Sequence, residues 1–332
     1  MLTNNMKQLF TLLICLFVAL SFSYGQQPAQ YSMYMLNQFK YNPAYAGLDN
    51  SLSVTGVLRK QWVGITGTPS TQHVNAHMPL YFLSGGIGLS FENDVIGVQR
   101  FTKASISYTY QIPIGDEGLL SLGGRAGINQ RSFDGTKLIA PDGVYGPDPP
   151  GVNHQDPFLP VGVESAIAPT VGLGLFYSSE SLEIGLSLNN LLEPRFNYAS
   201  QLPPDIRLVR NYFLTLAYNL KIANSFTIHP SIFVKSDITQ TQLDLSALVK
   251  YNDNILGGVS FRGYNAKTVD AIVLIAGIKL SEKIGLRYAY DITLSKLNSI
   301  NTASHEIMLN YNLNKKIGAG IPEKIIYNPR FL

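Results

Sequence analysis

The residues best suited to chemistry are two histidines, His73 and His77, in the stretch TQHVNAHMP. On a helix this spacing would place the two imidazoles side by side, where they could share a metal ion. The stretch instead alternates polar and apolar residues, which predicts a β-strand. On a strand the two rings lie roughly 13 Å apart, at ~3.3 Å per residue. We therefore expect no metal site here and interpret both histidines as side chains with satisfied hydrogen bonds.

Three other stretches match sites of known chemistry only in part. The acidic residues of 142–156 lack the spacing of a calcium-binding loop, and prolines interrupt them. GVSFRG (258–263) departs by one residue from a nucleophile elbow, and GGIGLSF (85–91) lacks the third glycine of a dinucleotide-binding loop. The sequence therefore predicts a non-enzymatic protein without cofactor or metal. A hydrolase built into the fold stays open, because distant residues can form a Ser–His pair in space.

Residues 1–25 are predicted to be a secretory signal peptide. Lys7 precedes an apolar run at 9–22, and small residues stand before a cleavage site at Gln26. Cys15 raises the alternative of a lipoprotein signal, but the residue before it is bulky and the apolar run continues past it. Because Cys15 is the single cysteine, we expect the mature protein to have no disulfide and no thiol nucleophile.

The composition of the mature chain indicates a membrane protein made of strands. Without Lys7 the chain has 24 basic and 22 acidic residues, a balance too even to indicate a nucleic-acid partner. Charged residues make up 14% of the chain, and it has 19 Tyr and 16 Phe. No stretch of the mature chain has the ~18 consecutive apolar residues that a transmembrane helix needs. A secreted chain of this kind is expected to meet lipid as a β-barrel.

Alternation of polar and apolar residues recurs from residue 51 to residue 313. In QLDLSALVKY (242–251), Asp244, Ser246 and Lys250 alternate with apolar residues, which puts one set on each face of a strand. The polar faces of the predicted strands carry charges of both signs, at Arg125, Arg131, Glu183, Lys235, Asp244, Lys250, Arg262, Arg287 and Glu306. We interpret these as lumen residues, which either fill a narrow interior or form an ion path.

The number of strands and the lengths of their connections favour a barrel that spans the outer membrane. We predict about 14 strands, most of them close to the ~9–11 residues that a tilted strand needs to cross a bilayer. Connections after even-numbered strands are short, whereas those after odd-numbered strands include 132–168 and 192–209. Outer-membrane barrels have this asymmetry, because their periplasmic turns are tight and their outer loops long. The alternative, a secreted β-sandwich, has no reason to sort its loops in this way.

The predicted fold class is thus all-β, a transmembrane antiparallel barrel. We divide the chain into the signal peptide, an N-terminal periplasmic or plug segment (26–50), the barrel (51–313) and a C-terminal periplasmic tail (314–332). Loop 132–168 is rich in Pro, Gly and Asp. It is expected to face the exterior, where it folds over the barrel mouth, docks a partner or has a disordered tip.

Two blocks of the sequence carry a family resemblance. The first block holds Asn-Pro-Ala-Tyr-Ala-Gly at 42–47, Arg59, Gln61-Trp62-Val63-Gly64, Pro69, Thr71-Gln72, His77 and Pro79. The second comprises RYAYDITLSKLNS (287–299), SHEIMLNY (304–311) and NPRF (328–331). On these residues the chain resembles the PorP/SprF family of the type IX secretion and gliding machinery of Bacteroidota. One departure is ITGTP (65–69), where family members often carry an acidic turn.

The resemblance implies an integral outer-membrane protein that supports secretion of an adhesin-type cargo. It implies that the barrel anchors this cargo at the surface by binding its C-terminal sorting domain. It also implies contacts with peptidoglycan-associated lipoproteins and with other type IX components. The composition, not the resemblance, predicts contact with membrane lipid and no nucleic-acid partner. Family-motif or partner-binding residues would be Asn42, Pro43, Tyr45, Gly47, Arg59, Gln61, Trp62, Gly64 and His77.

Two questions of function stay open in the sequence. Trp62, the only tryptophan, is predicted in the loop after the first strand. It acts there either as a partner anchor or as an aromatic residue of the membrane interface. The alternative function is a porin or a channel for small hydrophobic molecules, which requires an open lumen. QFKYNPAYAG (38–47) is predicted to pack at the barrel base, together with the YNP at 327–329, as a structural plug.

Overall fold

The computed structural model describes residues 28–115, 117–146, 151–198, 206–264, 268–299 and 303–315. Its strands are β1 Ser53–Val63, β2 Ser70–Leu80, β3 Gly85–Ile96, β4 Gln99–Ile114, β5 Gly118–Asp134, β6 Val144–Tyr145, β7 Val152–Asn153, β8 Val163–Ser178, β9 Leu182–Asn189, β10 Asn211–Tyr218, β11 Leu220–Ala223, β12 Phe226–Ser236, β13 Thr241–Tyr251, β14 Ile255–Arg262, β15 Ala271–Lys279, β16 Ile284–Thr293 and β17 Ala303–Asn312. The predicted signal peptide and residues 316–332 of the predicted tail lie outside the described residues.

The strands form a closed antiparallel barrel. Fifteen of them make one sheet in which chain neighbours pair. The last strand pairs with the first, from Ser53 opposite Asn312 to Val63 opposite Ala303. Two of the fifteen, β10 and β11, are parts of a single strand that both pair with β12 and are interrupted at Asn219. The barrel therefore has 14 strands, and the predicted fold class is confirmed.

The two faces of the strands divide as the alternation predicts. In β13, Asp244, Ser246 and Lys250 are buried, whereas Leu245 and Val249 point outward and are exposed. The charged residues assigned to the lumen from sequence all lie on the inward face of their strands, where they are buried or half-buried. Apolar side chains outside and polar ones inside suit a wall that separates lipid from a polar interior.

The connections at the two ends of the barrel differ in length. At one end none is longer than 280–283, while the other end carries 135–162 and 190–210. We assign the end with the long connections to the cell exterior, following the usual arrangement of outer-membrane barrels, and call the two ends outer and inner. The connection 135–162 contains the small hairpin formed by β6 and β7.

Two strand boundaries predicted from sequence are wrong. Trp62 lies at the end of β1 rather than in the following loop, because β1 stays paired with β17 as far as Val63. The strand β8 begins at Val163, well before the predicted position 169. Pro169 lies inside this strand although proline cannot donate a ladder hydrogen bond, and it is tolerated there because its position faces an unpaired edge.

Within the described residues, no helix is long and apolar enough to cross a membrane. The helical elements there are short 3-10 turns. Three of them, Tyr34–Leu36, Gln38–Lys40 and Pro43–Tyr45, follow one another ahead of β1.

Candidate functional site

Residues 28–50, which we call the lumen segment, run through the inside of the barrel. At the outer end, the Gln30 side-chain oxygen accepts a hydrogen bond from Lys235 at 2.6 Å. Further along, the Ser121 hydroxyl donates to the carbonyl oxygen of Ala44, close to the inner turns. The segment thus extends well beyond the barrel base to which QFKYNPAYAG was assigned from sequence. Most of its residues from Tyr31 onward are buried.

Ser32 lies at the centre of a buried ionic group, the Ser32 cluster, formed with Arg59, Arg262, Asp291 and Glu306. Its hydroxyl donates to Asp291 at 2.7 Å and accepts from the Arg59 guanidinium at 2.8 Å. Its backbone N–H donates to Glu306 at 2.8 Å. Arg59 pairs with Asp291 at 2.7 Å and with Glu306 at 3.1 Å, and Arg262 pairs with Asp291 at 3.1 Å. The four charged residues belong to the wall and pair with one another, and Ser32 attaches the lumen segment to all four.

A second group, the Glu92 cluster, binds the lumen segment to β3, β4 and β5. The Glu92 carboxylate forms ion pairs with Lys40 and with Lys103, the latter at 2.8 Å. The Tyr31 hydroxyl donates to the same carboxylate at 2.7 Å. Arg125 donates to the carbonyl oxygen of Lys40 at 3.0 Å. The Glu92 carboxylate therefore pairs with two lysines, Lys40 of the lumen segment and Lys103 of the wall.

The aromatic residues of the lumen segment pack against the opposite wall. The ring of Tyr34 stacks on Phe233 with centroids 4.7 Å apart, and Tyr41 lies 4.6 Å from Phe233 and 5.3 Å from Phe213. The Tyr34 hydroxyl also makes a 2.9 Å hydrogen bond with Ser246. Aromatic pairs of this geometry contribute about 0.5–1.5 kcal/mol each beyond the area they bury. The segment is thus held by apolar as well as ionic contacts.

The Asn-Pro-Ala-Tyr-Ala-Gly motif places the segment against β8 and β9. Asn42 caps the turn Pro43–Tyr45, since its side-chain oxygen accepts from the Ala44 N–H at 2.9 Å. Its amide nitrogen donates to the carbonyl oxygens of Leu175 at 2.9 Å and Leu186 at 3.1 Å. Pro43 fits the first position of such a turn because its φ is already fixed and no N–H is needed there. One asparagine therefore both starts the turn and attaches it to the wall.

His77 connects the end of this motif to the wall. Its Nδ1 accepts from the Gly47 N–H at 3.2 Å, so the ring proton belongs on Nε2, which lies 3.1 Å from Asp49. The Tyr45 hydroxyl donates to the other oxygen of Asp49 at 2.9 Å. Gly47 has φ +80°, a conformation that favours glycine. The arrangement fixes the chain as it leaves the lumen segment for β1.

Two glycines of the wall make room for the segment backbone. A Cβ at Gly123 would lie 2.3 Å from the Ala44 nitrogen, and a Cβ at Gly86 would lie 2.4 Å from the Ala46 carbonyl oxygen. Gly124, the neighbour of Gly123, points to the other face and has no atom within 4 Å of the same position. The wall is therefore shaped to accept the segment at close range.

The outer end of the lumen opens into a cavity of about 620 Å³, which we call the mouth cavity. Its lining includes Gln30 of the lumen segment, Gln61 and Trp62 of β1, and the carboxylates of Asp94 and Asp270. Trp62 has φ +52°, and its backbone N–H donates to Ser304 at 3.0 Å. This irregularity at the end of β1 holds the tryptophan at the mouth.

The residues singled out from sequence fall into three places rather than one. Five of them lie in the inner half of the barrel: Asn42, Pro43, Tyr45, Gly47 and His77. Arg59 belongs to the Ser32 cluster. Gln61, Trp62 and Gly64 lie at the outer end. Sequence reasoning missed Ser32, Glu92 and Asp291. Charged residues at inward positions of a strand were a signal for Glu92 and Asp291, but nothing local distinguishes Ser32.

The described residues contain no group of three or more His, Cys, Asp or Glu placed to hold a metal ion. His73 contacts Asn75 at 2.9 Å, and His77 contacts Asp49. His77 thus attaches the lumen segment to the wall, whereas His73 contacts another residue of its own strand.

A family model described as the type IX secretion system membrane protein PorP/SprF matches residues 23–311. The chain belongs to this family. It is therefore an integral outer-membrane protein and a membrane component of the type IX secretion system. Family membership associates it with other components of that system and with its cargo in general. Among curated proteins, none matches the chain in sequence.

Solved structures with a similar fold are outer-membrane barrels. The crystal structure of the Ralstonia pickettii toluene transporter TbuX superposes with a TM-score of 0.51 at 12% identity, covering 86% of this chain and 93% of the transporter chain. The CymD monoaromatic hydrocarbon channel gives 0.47 at 10% identity, over 81% and 89% of the two chains. The Acinetobacter baumannii outer membrane protein Omp33 gives 0.44 at 7% identity, over 80% and 100%. At this identity, TbuX supports the fold alone.

Proposed function

We propose that the protein is a surface anchor of the type IX system, which binds the C-terminal sorting domain of an adhesin-type cargo at its outer end. The observation that carries this proposal is the lumen segment. Two ionic clusters, an aromatic stack and a capped turn hold it inside the barrel. A barrel whose interior is occupied by its own chain is better suited to present a binding surface than to conduct solute.

The outer end offers such a surface. The mouth cavity is lined by Trp62 and Gln61, two residues of the family motif, and by the start of the lumen segment. Tryptophan is enriched among residues that dominate binding energy at interfaces. The long connections 135–162 and 190–210 rise from the same end. The inner end, with its short turns, is the side that would meet periplasmic lipoproteins, and a role in gliding would follow from the adhesin cargo.

The test compares a tryptophan at the outer end with a phenylalanine at the inner end. In a strain that lacks the protein, cargo on intact cells is measured with an antibody after complementation with the wild type, Trp62→Ala or Phe82→Ala. Phe82 lies in the inner turn and is 81% exposed. We expect the Trp62 variant to lose surface cargo and the Phe82 variant to retain it. Equal effects of the two variants, or normal cargo display in the deletion strain, would contradict the proposal.

A channel for small hydrophobic molecules is the second candidate, because the fold resembles that of the toluene transporter TbuX. This candidate requires the lumen segment to move out of the way of solute. Liposome swelling with the purified protein distinguishes the two functions. We expect no solute flux through the wild type, whereas fast swelling would favour the channel.

A further inference from the structure

The strand β8 is paired on both sides over its inner part only. Strand β5 pairs with its whole length, from Asp134 opposite Val163 to Leu119 opposite Ser178. On the other side, β9 pairs with it only between Leu173 and Ser178. One more backbone bond, from the Leu191 N–H to Val171, extends this side. In the part of the chain that the structure describes, no backbone hydrogen bond joins the stretch 163–169 to a neighbour on that side.

The direction of the backbone groups along this edge follows from the Val171 bond. Because the Val171 carbonyl points toward β9, and backbone groups alternate in direction along a strand, the odd-numbered residues before it face the same way. The edge therefore presents the N–H and C=O groups of Val163, Ser165 and Ile167, and the C=O of Pro169. Pro169 has no N–H to present.

The unpaired edge lies at and beyond the outer boundary of the lipid. On the neighbouring strand β5, the outward residue opposite Pro169 is Ile128, which is 49% exposed. The next two outward residues are polar: Gln130, opposite Ile167, and Ser132, opposite Ser165. An unpaired N–H is very unfavourable in lipid, and the edge position nearest the lipid is Pro169, which has none. The remaining groups are placed where water or a partner can satisfy them.

A second copy of the chain is a poor partner for this edge. Two copies in one membrane have the same orientation, so a two-fold axis between them runs along the membrane normal. This symmetry would place the two β8 edges parallel, with each N–H at the same height as the identical N–H of the other copy. Donors would then face donors and acceptors would face acceptors. A strand from a different protein has no such restriction and can approach in the antiparallel direction.

We propose that the Val163–Pro169 edge is a strand-addition site, which pairs with an extended β-strand of the secreted cargo. Main-chain hydrogen bonds supply the affinity in such complexes, and side chains on one face supply the selectivity. The outward face of this edge includes the aliphatic side chains of Val163 and Ile167, which are 68% and 59% exposed. An apolar residue at alternate positions of the incoming strand would cover them. This inference rests on the proposed function, since the cargo is the partner.

The test removes one N–H from the edge without touching the β5 ladder. Ser165→Pro removes a donor that faces away from β5, and Pro169 on the same edge shows that the strand accommodates proline. Ser165→Ala is the matched control, because it keeps the N–H. The probe is a recombinant C-terminal sorting domain from an adhesin of the source bacterium, added to the purified barrel in nanodiscs. We expect Ser165→Pro to weaken binding about tenfold or more, and Ser165→Ala to stay within about twofold of the wild type.

Hydrogen exchange of the peptide that contains residues 163–169 gives an independent result on the wild-type protein, which matters if Ser165→Pro does not fold. We expect the edge amides of Ser165 and Ile167 to exchange fast in the barrel alone and slowly once the sorting domain is bound. The amides of Ala166 and Ala168, which face β5, should exchange slowly in both states and serve as the internal control. Slow exchange of the Ser165 and Ile167 amides in the barrel alone would mean that the edge is already occupied and would overturn the inference, as would equal binding by Ser165→Pro and the wild type. If no sorting domain binds the wild type at all, the proposed function fails as well.

Discussion

Replacing Arg59 with methionine is expected to destabilise the barrel strongly. Arg59 is almost completely buried, pairs with Asp291 at 2.7 Å and Glu306 at 3.1 Å, and donates to Ser32. In its absence Asp291 keeps Arg262 as a partner, whereas the partners left to Glu306 among the described residues are the backbone N–H groups of Ser32 and Met33. Removing one member of a buried ion pair typically costs about 3–5 kcal/mol. We expect a loss of this size in the free energy of unfolding.

The single tryptophan makes the measurement direct. Trp62 lies three residues from the substituted position and reports on the same region, so its fluorescence can follow equilibrium unfolding of the vesicle-bound protein in guanidinium. The matched control is Lys60→Met, which removes the same charge from the exposed outward face of the same strand. A surface change of this kind is expected to stay within about 0.5 kcal/mol.

A second change tests the cause of the effect. If the uncompensated Glu306 carboxylate is responsible, Arg59→Met combined with Glu306→Gln should recover part of the stability that Arg59→Met loses, and the coupling can be read from a double-mutant cycle. A loss below about 1 kcal/mol for Arg59→Met would refute the reasoning, because ion pairs exposed on a protein surface already contribute that much. An equal loss for Lys60→Met would refute it as well.

Three further predictions concern the attachment of the lumen segment. Gly123→Ala should lower the unfolding free energy by about 1–3 kcal/mol through overpacking, whereas Gly124→Ala should leave it unchanged. Equal unfolding curves for the two variants would contradict the close approach of the Ala44 backbone to Gly123. His77→Leu should cost about 1–3 kcal/mol, because the Gly47 N–H loses its acceptor and Asp49 loses one of its two partners. Unchanged stability in the same unfolding assay would count against this role. Gly123→Ala should also raise sugar flux in liposome swelling relative to Gly124→Ala, because it displaces the lumen segment. Equal flux through the two variants would show that the segment stays in place.

The barrel could be predicted from sequence because its signals are periodic and cumulative. Alternation sorted the residues of strands such as 242–251 correctly, and the parity of loop lengths indicated which end faces the exterior. The end of β1 and the start of β8 were misplaced for local reasons. Trp62 lies in a backbone irregularity that the alternation does not show, and Pro169 is permitted by an unpaired edge that only the tertiary structure reveals.

The interior was harder to predict because its contacts join residues that are far apart in sequence. Ser32 and Glu306 are 274 positions apart, and Tyr34 and Ser246 are 212 apart. Pattern reasoning identifies an inward charge such as Glu306, but it does not identify the partner that the charge meets. The motif around Asn42 was assigned to the plug on local grounds, since its cap and turn are encoded by neighbouring residues.

The course of the lumen segment constrains the order of assembly. The described chain starts near the outer mouth at Pro28, passes inward along the axis and only then turns back into β1. The wall closes when β17 pairs with β1, which joins the two ends of the strand order. Passing residues 28–50 through a finished ring would require moving Lys40 and the Asn42 turn past buried carboxylates and close-packed glycines. The barrel is therefore expected to close around residues 28–50 when they are already in place, so that the pairing of β1 with β17 forms last.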